Sequence, residues 1–270
     1  MTMSEPTSSR DRWDVGGWLA DLSVAASFLT RLRPAGAPSQ ADLAPGRLAG
    51  AVRTFPLIGA AVGLGGGVVY ALAYWLGLPP FAAALCALAA TALATGALHE
   101  DGLADTADGL GGGRTAEDRL RIMRDSHIGA FGVLALVFSI GLRTAALATL
   151  GTPWLAAAAL IAGGAGSRAI LGLVMRRLDP ARSDGLAATA GRPSEEGALT
   201  AAAIGAGFAL VFLGIGTGVV AAAAAAVATA AVGQYARRGI GGYTGDVLGA
   251  VQQATEVAIL LVAAAALGSA

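Results

Sequence analysis

The sequence of 270 residues contains no lysine and few charged residues of any kind. All 18 basic residues are arginine, and charged residues make up 13% of the chain, whereas about 25% is usual in soluble domains. Hydrophobic residues make up 55%. This shortage of charge excludes an ordinary soluble domain and predicts an all-α, polytopic integral membrane protein.

A single cysteine and a polar N-terminal region set two further limits. Cys86 is the one cysteine and lies in an apolar run, so a framework of disulfide bonds is excluded. The first dozen residues lack the apolar core and cleavage site of a secretory signal, and we expect none. We expect residues 1–15 to form a disordered tail and residues 16–270 a single membrane domain.

Seven apolar stretches each approach the roughly 20 residues that a helix needs to cross a bilayer. They lie at 55–76, 80–98, 130–150, 154–174, 198–213, 219–235 and 247–267. The predicted transmembrane bundle therefore covers 55–267. Residues 16–32 mix apolar and charged side chains, which predicts an amphipathic helix at the membrane interface with Trp18 as its anchor.

The arginines outside these stretches are confined to four segments. They are the N-terminal segment and the connections 99–129, 176–197 and 236–246, whereas the other three connections are short and carry none. Seven crossings place these four segments on one side of the membrane. The positive-inside rule predicts that this side is cytoplasmic, so the three long connections are predicted cytoplasmic loops.

The connection 99–129 begins with acidic residues and glycines. Asp101, Asp105 and Asp108 are spaced so that a helix places their three carboxylates on one face. Acidic oxygens grouped at a membrane surface suit Mg²⁺, which shares such ligands with substrate phosphates and water. Nearby glycines, such as Gly102, would let the backbone approach a phosphate. The alternative is a solvated run of charge at a helix end.

Three neighbours of these aspartates are less decisive. His99 is a candidate general base or metal ligand, or else a helix-end residue that binds a backbone carbonyl. Glu100 points away from the face of Asp101, and we expect it to be solvated. Asp125, shortly before the third apolar stretch, is a further candidate ligand.

Charged residues also occur within or beside the later spans. Arg143 and Arg168 lie inside predicted spans, where they either bind an anionic group or pair with Glu256 of the last span. The loop that contains Arg182 could close over a phosphate-rich ligand. Asp246 follows a glycine turn at the start of the last span, where it is a helix cap, a ligand or both.

These features indicate a membrane enzyme or transporter with an acidic, arginine-bearing site on the cytoplasmic face. Magnesium-assisted transfer of a phosphate-containing group is favoured. Carboxylates would hold the metal, arginines would bind the remaining phosphate oxygens, and a carboxylate or His99 would take a proton from an attacking hydroxyl. The spacing of the residues leaves the substrates open.

Several blocks of sequence carry a resemblance to a known family. They are FLTRL at 28–32, FPLIG at 55–59, HEDGLADTADG at 99–109, IMRDS at 122–126, GAFG at 129–132 and GYTGDVLG at 242–249. In this order they resemble the cobalamin synthase family, the adenosylcobinamide-GDP ribazoletransferases. The resemblance extends to Glu256 and so covers nearly the whole chain.

The resemblance implies a Mg²⁺-dependent transferase in the bacterial inner membrane. Adenosylcobinamide-GDP would give its cobinamide phosphate to α-ribazole or to α-ribazole 5′-phosphate, and GMP would leave. The product would be cobalamin or cobalamin 5′-phosphate. The lipid bilayer is the other expected partner, no nucleic-acid partner is expected, and assembly into a homo-oligomer is left open.

The resemblance also implies roles for individual residues. The implied metal ligands are Asp101, Asp105 and Asp108, with Asp246 or Asp125 completing the set. The implied base is His99 or a free carboxylate of that set. The candidate contacts of phosphate, GDP or other parts of the substrates are Arg124, Arg168, Arg182 and Thr244.

Two other functions are compatible with parts of the sequence. A CDP-alcohol phosphotransferase also places Asp-Gly-x-x-Ala and later aspartates at a membrane surface, but its next residue is arginine, whereas Ala104 is followed by Asp105. A transporter would use Arg143, Arg168 and Glu256 as its pathway. The concentration of charge in surface segments argues against a transporter.

Overall fold

A computed structural model describes residues 15–32 and 44–268, and the regular elements in these two ranges are helical. The α-helices are α1 (Val15–Leu29), α2 (Arg47–Ala51), α3 (Phe55–Trp75), α4 (Pro80–Thr95), α5 (Leu98–Gly112), α6 (Ala116–Ile122), α7 (Ala130–Leu150), α8 (Pro153–Ala169), α9 (Leu171–Arg177), α10 (Gly185–Ala190), α11 (Glu195–Leu213), α12 (Ile215–Ile240) and α13 (Gly245–Leu267). A 3-10 turn at Val52–Thr54 joins α2 to α3. The predicted all-α fold is confirmed. The predicted tail, apart from Val15, lies outside the described residues.

Six helical segments of the described chain are long and apolar enough to cross a membrane. They are 47–75 (α2 and α3), α7, 153–177 (α8 and α9), α11, α12 and α13. The pair α4 and α5 supplies up to a seventh crossing, and the two helices are bent by 91° relative to each other. The prediction of about seven transmembrane helices in a polytopic membrane protein is confirmed.

The bend between α4 and α5 divides a stretch that the sequence predicts as one span. Gly96 and Ala97 both have positive φ, 68° and 57°, which stops α4 at Thr95 because a left-handed residue cannot continue the helix. The carbonyl of Ala94 accepts the N–H of Arg31 at 2.8 Å. Helix α4 therefore ends beside the end of α1, and α5 turns away from the span.

Helix α1 is anchored on the beginning of the first span. The carboxylate of Asp21 binds Arg47 at 2.5 Å and Arg53 at 2.7 Å, and the guanidinium of Arg53 lies 4.5 Å from the ring centroid of Trp18. The predicted helix over 16–32 is thus present as α1. The indole of Trp18, predicted as a membrane anchor, lies against the guanidinium of Arg53.

The charged segments meet at one end of the bundle. Arg119 of α6 donates to the carbonyl of Gly239 near the end of α12 at 2.9 Å. Arg124, after α6, binds Asp184, before α10, at 2.6 Å. These contacts agree with the predicted grouping of the arginine-bearing segments on one side.

Two predicted connections differ from the structure. The predicted loop 99–129 contains most of α5 and all of α6, and the N-cap of α6 is Thr115, whose hydroxyl accepts the N–H of Asp118 at 3.1 Å. The connection between the fifth and sixth spans reduces to Gly214, with φ of 78°, because α12 starts directly after it. Helices therefore hold much of the chain at the charged end.

Helices α3 and α8 approach each other through glycine. A Cβ at Gly59 would overlap the carbonyl oxygen of Gly164, and one at Gly63 would overlap that of Leu160. Small residues of this kind allow backbone contact between helices in lipid, where hydrophobic burial gives no driving force. The α3–α8 pair consequently forms a rigid centre beneath the charged end.

Replacing Gly63 with alanine is expected to destabilise the protein because the added methyl group cannot fit against Leu160. Overpacking of this kind costs about 1–3 kcal/mol, which thermal unfolding in detergent would register as a lower midpoint. Gly65→Ala on the same helix is the matched control, since a Cβ there meets no atom within 4 Å. Equal midpoints for the two variants would contradict the close packing.

Candidate active site

The start of α13 lies directly against α5. A Cβ at Gly102 would lie 2.8 Å from the carbonyl oxygen of Asp246, and one at Gly249 would lie 3.1 Å from the Cα of Gly102. Gly102 therefore serves helix packing, although the sequence suggests that it leaves space for a phosphate. Helix contact at this point brings Asp246 to Asp101 and Asp105, and we call these three residues the acidic cluster.

Thr244 fixes the start of α13 and the orientation of Asp246. Its hydroxyl accepts the N–H of Val247 at 3.3 Å and donates to a carboxylate oxygen of Asp246 at 3.1 Å. Its side chain is fully buried. Thr244, a predicted substrate contact, is therefore buried and orients the carboxylate of Asp246.

The acidic cluster carries more negative charge than its surroundings balance. Helix α5 lies at the charged end and belongs to none of the six long spans, and Asp105 is half-buried in it. Burial raises the pKa of Asp105 to about 7, with further contributions from Asp101, Asp246 and Asp108, while Arg182 acts in the opposite direction. One guanidinium therefore does not compensate the clustered carboxylates.

Arg182 reaches the acidic cluster from the segment before α10. Its Nη2 lies 3.6 Å from Asp246, and its Nε lies 3.8 Å from Asp184. Its Nη1 is buried and has no hydrogen-bond partner among the described residues. Arg124 binds the same Asp184, so one carboxylate links two of the predicted phosphate contacts, and one nitrogen of Arg182 remains available.

A short backbone bridge holds the Arg182 segment in place. Tyr243 donates its N–H to the carbonyl of Asp179 at 3.0 Å and accepts the N–H of Ala181 at 2.9 Å. Gly242 passes so close to Asp179 that a Cβ would overlap its carbonyl oxygen. The glycine turn before α13 thus positions both Asp246 and Arg182.

Two of the predicted metal ligands have other contacts. The carboxylate of Asp108 accepts the N–H of Gly129 at 2.7 Å and that of Gly132 at 2.9 Å, so it caps the N-terminus of α7. Asp125 is exposed and binds the backbone and ring of His127, at 3.0 and 2.7 Å. Neither contact directs these carboxylates toward the acidic cluster.

Below the acidic cluster lies a buried network of charges, Glu100, Arg143, Arg168 and Glu256. Glu256 lies 3.4 Å from Arg143 and 3.8 Å from Arg168, and Glu100 lies 3.4 Å from Arg143. The alternative that these arginines pair with Glu256 is confirmed. The predicted substrate contact at Arg168 is 3% exposed and lies in this network.

Glu100 is not solvated, and that prediction is wrong. Its side chain is 14% exposed, and it accepts the amide N–H of Gln253 at 3.0 Å in addition to its contact with Arg143. Helices α13 and α7 both pack against α5, and they supply the two partners of Glu100, Gln253 and Arg143. The cavity beside the network holds only about 10 Å³.

An apolar cavity of about 260 Å³ opens beside the acidic cluster. Its polar side chains are His99, Asp101, Arg182 and Asp246. Its apolar side chains are Phe28, Leu29, Leu48, Phe55, Leu98, Leu171, Met175, Leu186, Ala187, Ala190 and Leu248. His99, the predicted base, is 3% exposed and also contacts the small cavity of the buried network.

Sequence patterns do not reveal the walls of this apolar cavity. Phe28 belongs to a helix predicted to face the membrane, and Leu186 lies in a segment predicted as a loop. The blocks at 28–32 and 55–59, which carry the resemblance, are the one sequence signal for two of the walls.

Comparison with known proteins identifies the family. Residues 21–264 match the family model described as cobalamin-5-phosphate synthase (CobS). The chain belongs to this family. The resemblance seen in the sequence is therefore confirmed.

Relatives in the cobalamin-5-phosphate synthase family match nearly the full chain. Proteins named adenosylcobinamide-GDP ribazoletransferase are 51% identical in Bradyrhizobium diazoefficiens, over 92% of this chain and 94% of that protein, and 46% identical in Azorhizobium caulinodans, over 90% and 94%. One in Mesorhizobium japonicum is 45% identical over 93% and 95%. No solved structure matches the chain.

The acidic cluster offers oxygen ligands of the kind that a divalent cation takes, but it does not form a closed cage. Within residues 15–32 and 44–268, no three His, Cys, Asp or Glu side chains are arranged to hold a metal ion alone. Mg²⁺ usually takes one or two protein carboxylates and completes its shell with substrate phosphates and water. Burial first, and then the negative charges of Asp101, Asp246 and Asp108, raise the pKa of Asp105, and a bound cation would neutralise part of that charge.

Replacing Glu256 with glutamine is expected to destabilise the protein strongly, since Arg143 and Arg168 both lose a charged partner. Breaking a buried ion pair by removing one partner costs about 3–5 kcal/mol. The measurement is the midpoint of thermal unfolding in detergent. Glu117→Gln, at an exposed position of α6, is the control for loss of one negative charge. An unchanged midpoint for Glu256→Gln would contradict the buried network.

Proposed function

We propose that the chain transfers the cobinamide phosphate of adenosylcobinamide-GDP to α-ribazole or α-ribazole 5′-phosphate. Its family makes it an enzyme of cobalamin synthesis, a transferase, and its relatives carry the name of this reaction. The observation that carries the proposal is that Asp101 and Asp246 of the acidic cluster line the apolar cavity together with Arg182, which lies 3.6 Å from Asp246.

The reaction forms one phosphorus–oxygen bond and breaks another. A hydroxyl oxygen of ribazole attacks the phosphorus that carries cobinamide, the bond from this phosphorus to the bridging oxygen breaks, and GMP leaves with that oxygen. The hydroxyl proton passes to a carboxylate. Asp105 is matched to this role because its pKa of about 7 lets it accept a proton near neutral pH.

Positive groups would balance the charge of the diphosphate. Arg182 would bind a phosphate oxygen through its unpartnered Nη1, as guanidinium groups commonly do. Asp101 and Asp246 would hold Mg²⁺, which supplies charge neutralisation at the reacting phosphate. Thr244 would keep the carboxylate of Asp246 in place.

We place this site on the cytoplasmic face of the bacterial inner membrane. The support is the concentration of arginine in the segments that meet around the acidic cluster, together with the positive-inside rule. On this face the reaction would draw its nucleotide substrate from the cytoplasm. Labelling of a cysteine introduced at Thr189, an exposed position, tests the sidedness in intact cells and in inverted vesicles.

The test of the proposed function is release of GMP by purified protein in detergent. We expect release only when adenosylcobinamide-GDP, α-ribazole 5′-phosphate and Mg²⁺ are all present, and we expect EDTA to stop it. Folded protein that releases no GMP under these conditions would overturn the proposal. A parallel assay with a CDP-activated lipid donor would then detect the rival phosphotransferase activity.

A further inference from the structure

The apolar cavity has a sharp division between its walls and its polar end. Side chains of α1, α3, α9 and α10 form walls without hydrogen-bonding groups, and Phe28 and Phe55 pack as a stacked pair with ring centroids 6.1 Å apart. The polar side chains of the lining are His99 and Asp101 of α5, Asp246 of α13, and Arg182, which lies 3.6 Å from Asp246. A ligand that fills this space is apolar on one side and anionic or hydroxylated on the other.

The volume of the apolar cavity limits which part of a substrate it can hold. About 260 Å³ lies near the lower end of the range of roughly 300–1,000 Å³ that small-molecule pockets occupy. A corrin ring with its side chains is far too large for it. A bicyclic aromatic base is of suitable size, and the reaction that we propose brings two of these, guanine and dimethylbenzimidazole.

The chemistry of the walls separates the two bases. Guanine carries hydrogen-bond donors and acceptors around most of its edge, and apolar walls would leave them buried without partners, which is costly. Dimethylbenzimidazole has a single free ring nitrogen, and its two methyl groups gain from contact with apolar side chains. Leu186 and Ala187 of α10, with Met175 of α9, offer such contact.

We propose that the apolar cavity is the binding site for the dimethylbenzimidazole base of the acceptor. This inference rests on the proposed function and adds the placement of one substrate. The ribose and its hydroxyl then lie at the polar end, beside Asp101 and Asp246. Donor phosphate approaches the same end from the side of Arg182, so the nucleophile and the phosphorus meet at the acidic cluster.

Filling the apolar cavity is expected to weaken acceptor binding selectively. Ala187 is 2% exposed and faces the cavity, so Ala187→Leu adds bulk where we place the methyl groups. We expect KM for α-ribazole 5′-phosphate to rise by about 10-fold or more, because a misfit of one methylene or more in an apolar pocket is worth about 10–200-fold. KM for the unsubstituted benzimidazole analogue should rise less, and KM for adenosylcobinamide-GDP should stay unchanged.

Two further variants keep the test decisive. Thr189→Leu adds the same side chain to the exposed face of α10 and should leave both KM values at the wild-type level. Leu186→Ala enlarges the apolar cavity without adding bulk, so it remains informative if Ala187→Leu does not fold. We expect Leu186→Ala to reduce the preference for the dimethylated acceptor over benzimidazole.

The possible outcomes distinguish this inference from the proposed function. A rise in KM for the donor alone would assign the apolar cavity to guanosine and overturn the inference. Equal effects of Ala187→Leu on both acceptors would also overturn it. If wild-type protein releases no GMP, calorimetric binding of α-ribazole to wild type and Ala187→Leu still tests the cavity, since only a binding site there predicts weaker binding by the variant.

Discussion

Replacing Asp105 with asparagine is expected to lower GMP release by about 10²–10⁴-fold, the usual contribution of a general base, because asparagine cannot accept the proton of the attacking hydroxyl. The thermal stability of the protein should increase, although its activity falls. The raised pKa of Asp105 means that its ionised form is unfavourable in the folded protein, and asparagine removes that charge. We therefore expect Asp105→Asn to unfold at a higher temperature than wild type in EDTA.

The gain in stability should depend on pH. The carboxyl of Asp105 ionises in the unfolded chain at its ordinary pKa of about 4, but in the folded protein only near pH 7. The penalty for ionisation is therefore small near pH 4, grows as the pH rises and is complete above pH 7. Unfolding midpoints of wild type and Asp105→Asn at pH 5 and pH 8 should show the larger difference at pH 8.

Two other aspartates serve as controls for Asp105. Asp118→Asn, on the surface of α6 beside Arg121, should change neither turnover nor stability. Asp108→Asn should lose stability, because the amide cannot accept hydrogen bonds from both Gly129 and Gly132. A stable Asp105→Asn variant with wild-type turnover would remove Asp105 from the mechanism.

Replacing Arg182 with glutamine is expected to lower kcat/KM for adenosylcobinamide-GDP by about 10²-fold, because a charge-assisted contact with phosphate is lost near the reacting atoms. The guanidinium is the cation nearest to Asp246 among the described residues, and its Nη1 has no other partner. Steady-state kinetics of GMP release with the donor varied would measure the loss. Arg182→Lys should recover little, since an ammonium lacks the planar fork of donors.

The matched control for Arg182 is Arg177→Gln at the exposed end of α9. It removes one arginine from the same end of the bundle and should leave kcat/KM unchanged. If both variants lost activity equally, general attraction of the anionic donor to a positive surface would explain the effect. Such a result would contradict a specific contact at Arg182.

The sequence predicts the membrane bundle well because hydropathy over some 20 residues is a strong signal. The predicted grouping of the arginine-bearing segments agrees with the contacts that Arg119 and Arg124 make. The sequence does not predict the 91° bend after α4, since residues 80–98 are apolar throughout and only the left-handed conformation of Gly96 and Ala97 ends the helix. Helix α10 likewise lies in a segment predicted as a loop.

The candidate site is only partly visible in the sequence. The spacing of Asp101 and Asp105 follows from one helix, and the glycine turn before Asp246 marks a further acidic residue. Which carboxylates meet depends on contacts between distant segments, such as Asp108 with the start of α7, and no local pattern encodes these. The role of Glu100 was missed for the same reason, because its partner Arg143 lies on another helix.

The buried network has a consequence for the order in which the chain is made. Synthesis proceeds from the N-terminus, so Glu100 is already present when Arg143 enters the bilayer. Arg168, in contrast, enters before its partner Glu256, which arrives only with the third span after it, α13. Uncompensated charge in hydrocarbon is costly. The half-made bundle therefore carries an excess positive charge on Arg168 until α13 inserts. This last helix brings Glu256, which neutralises that charge.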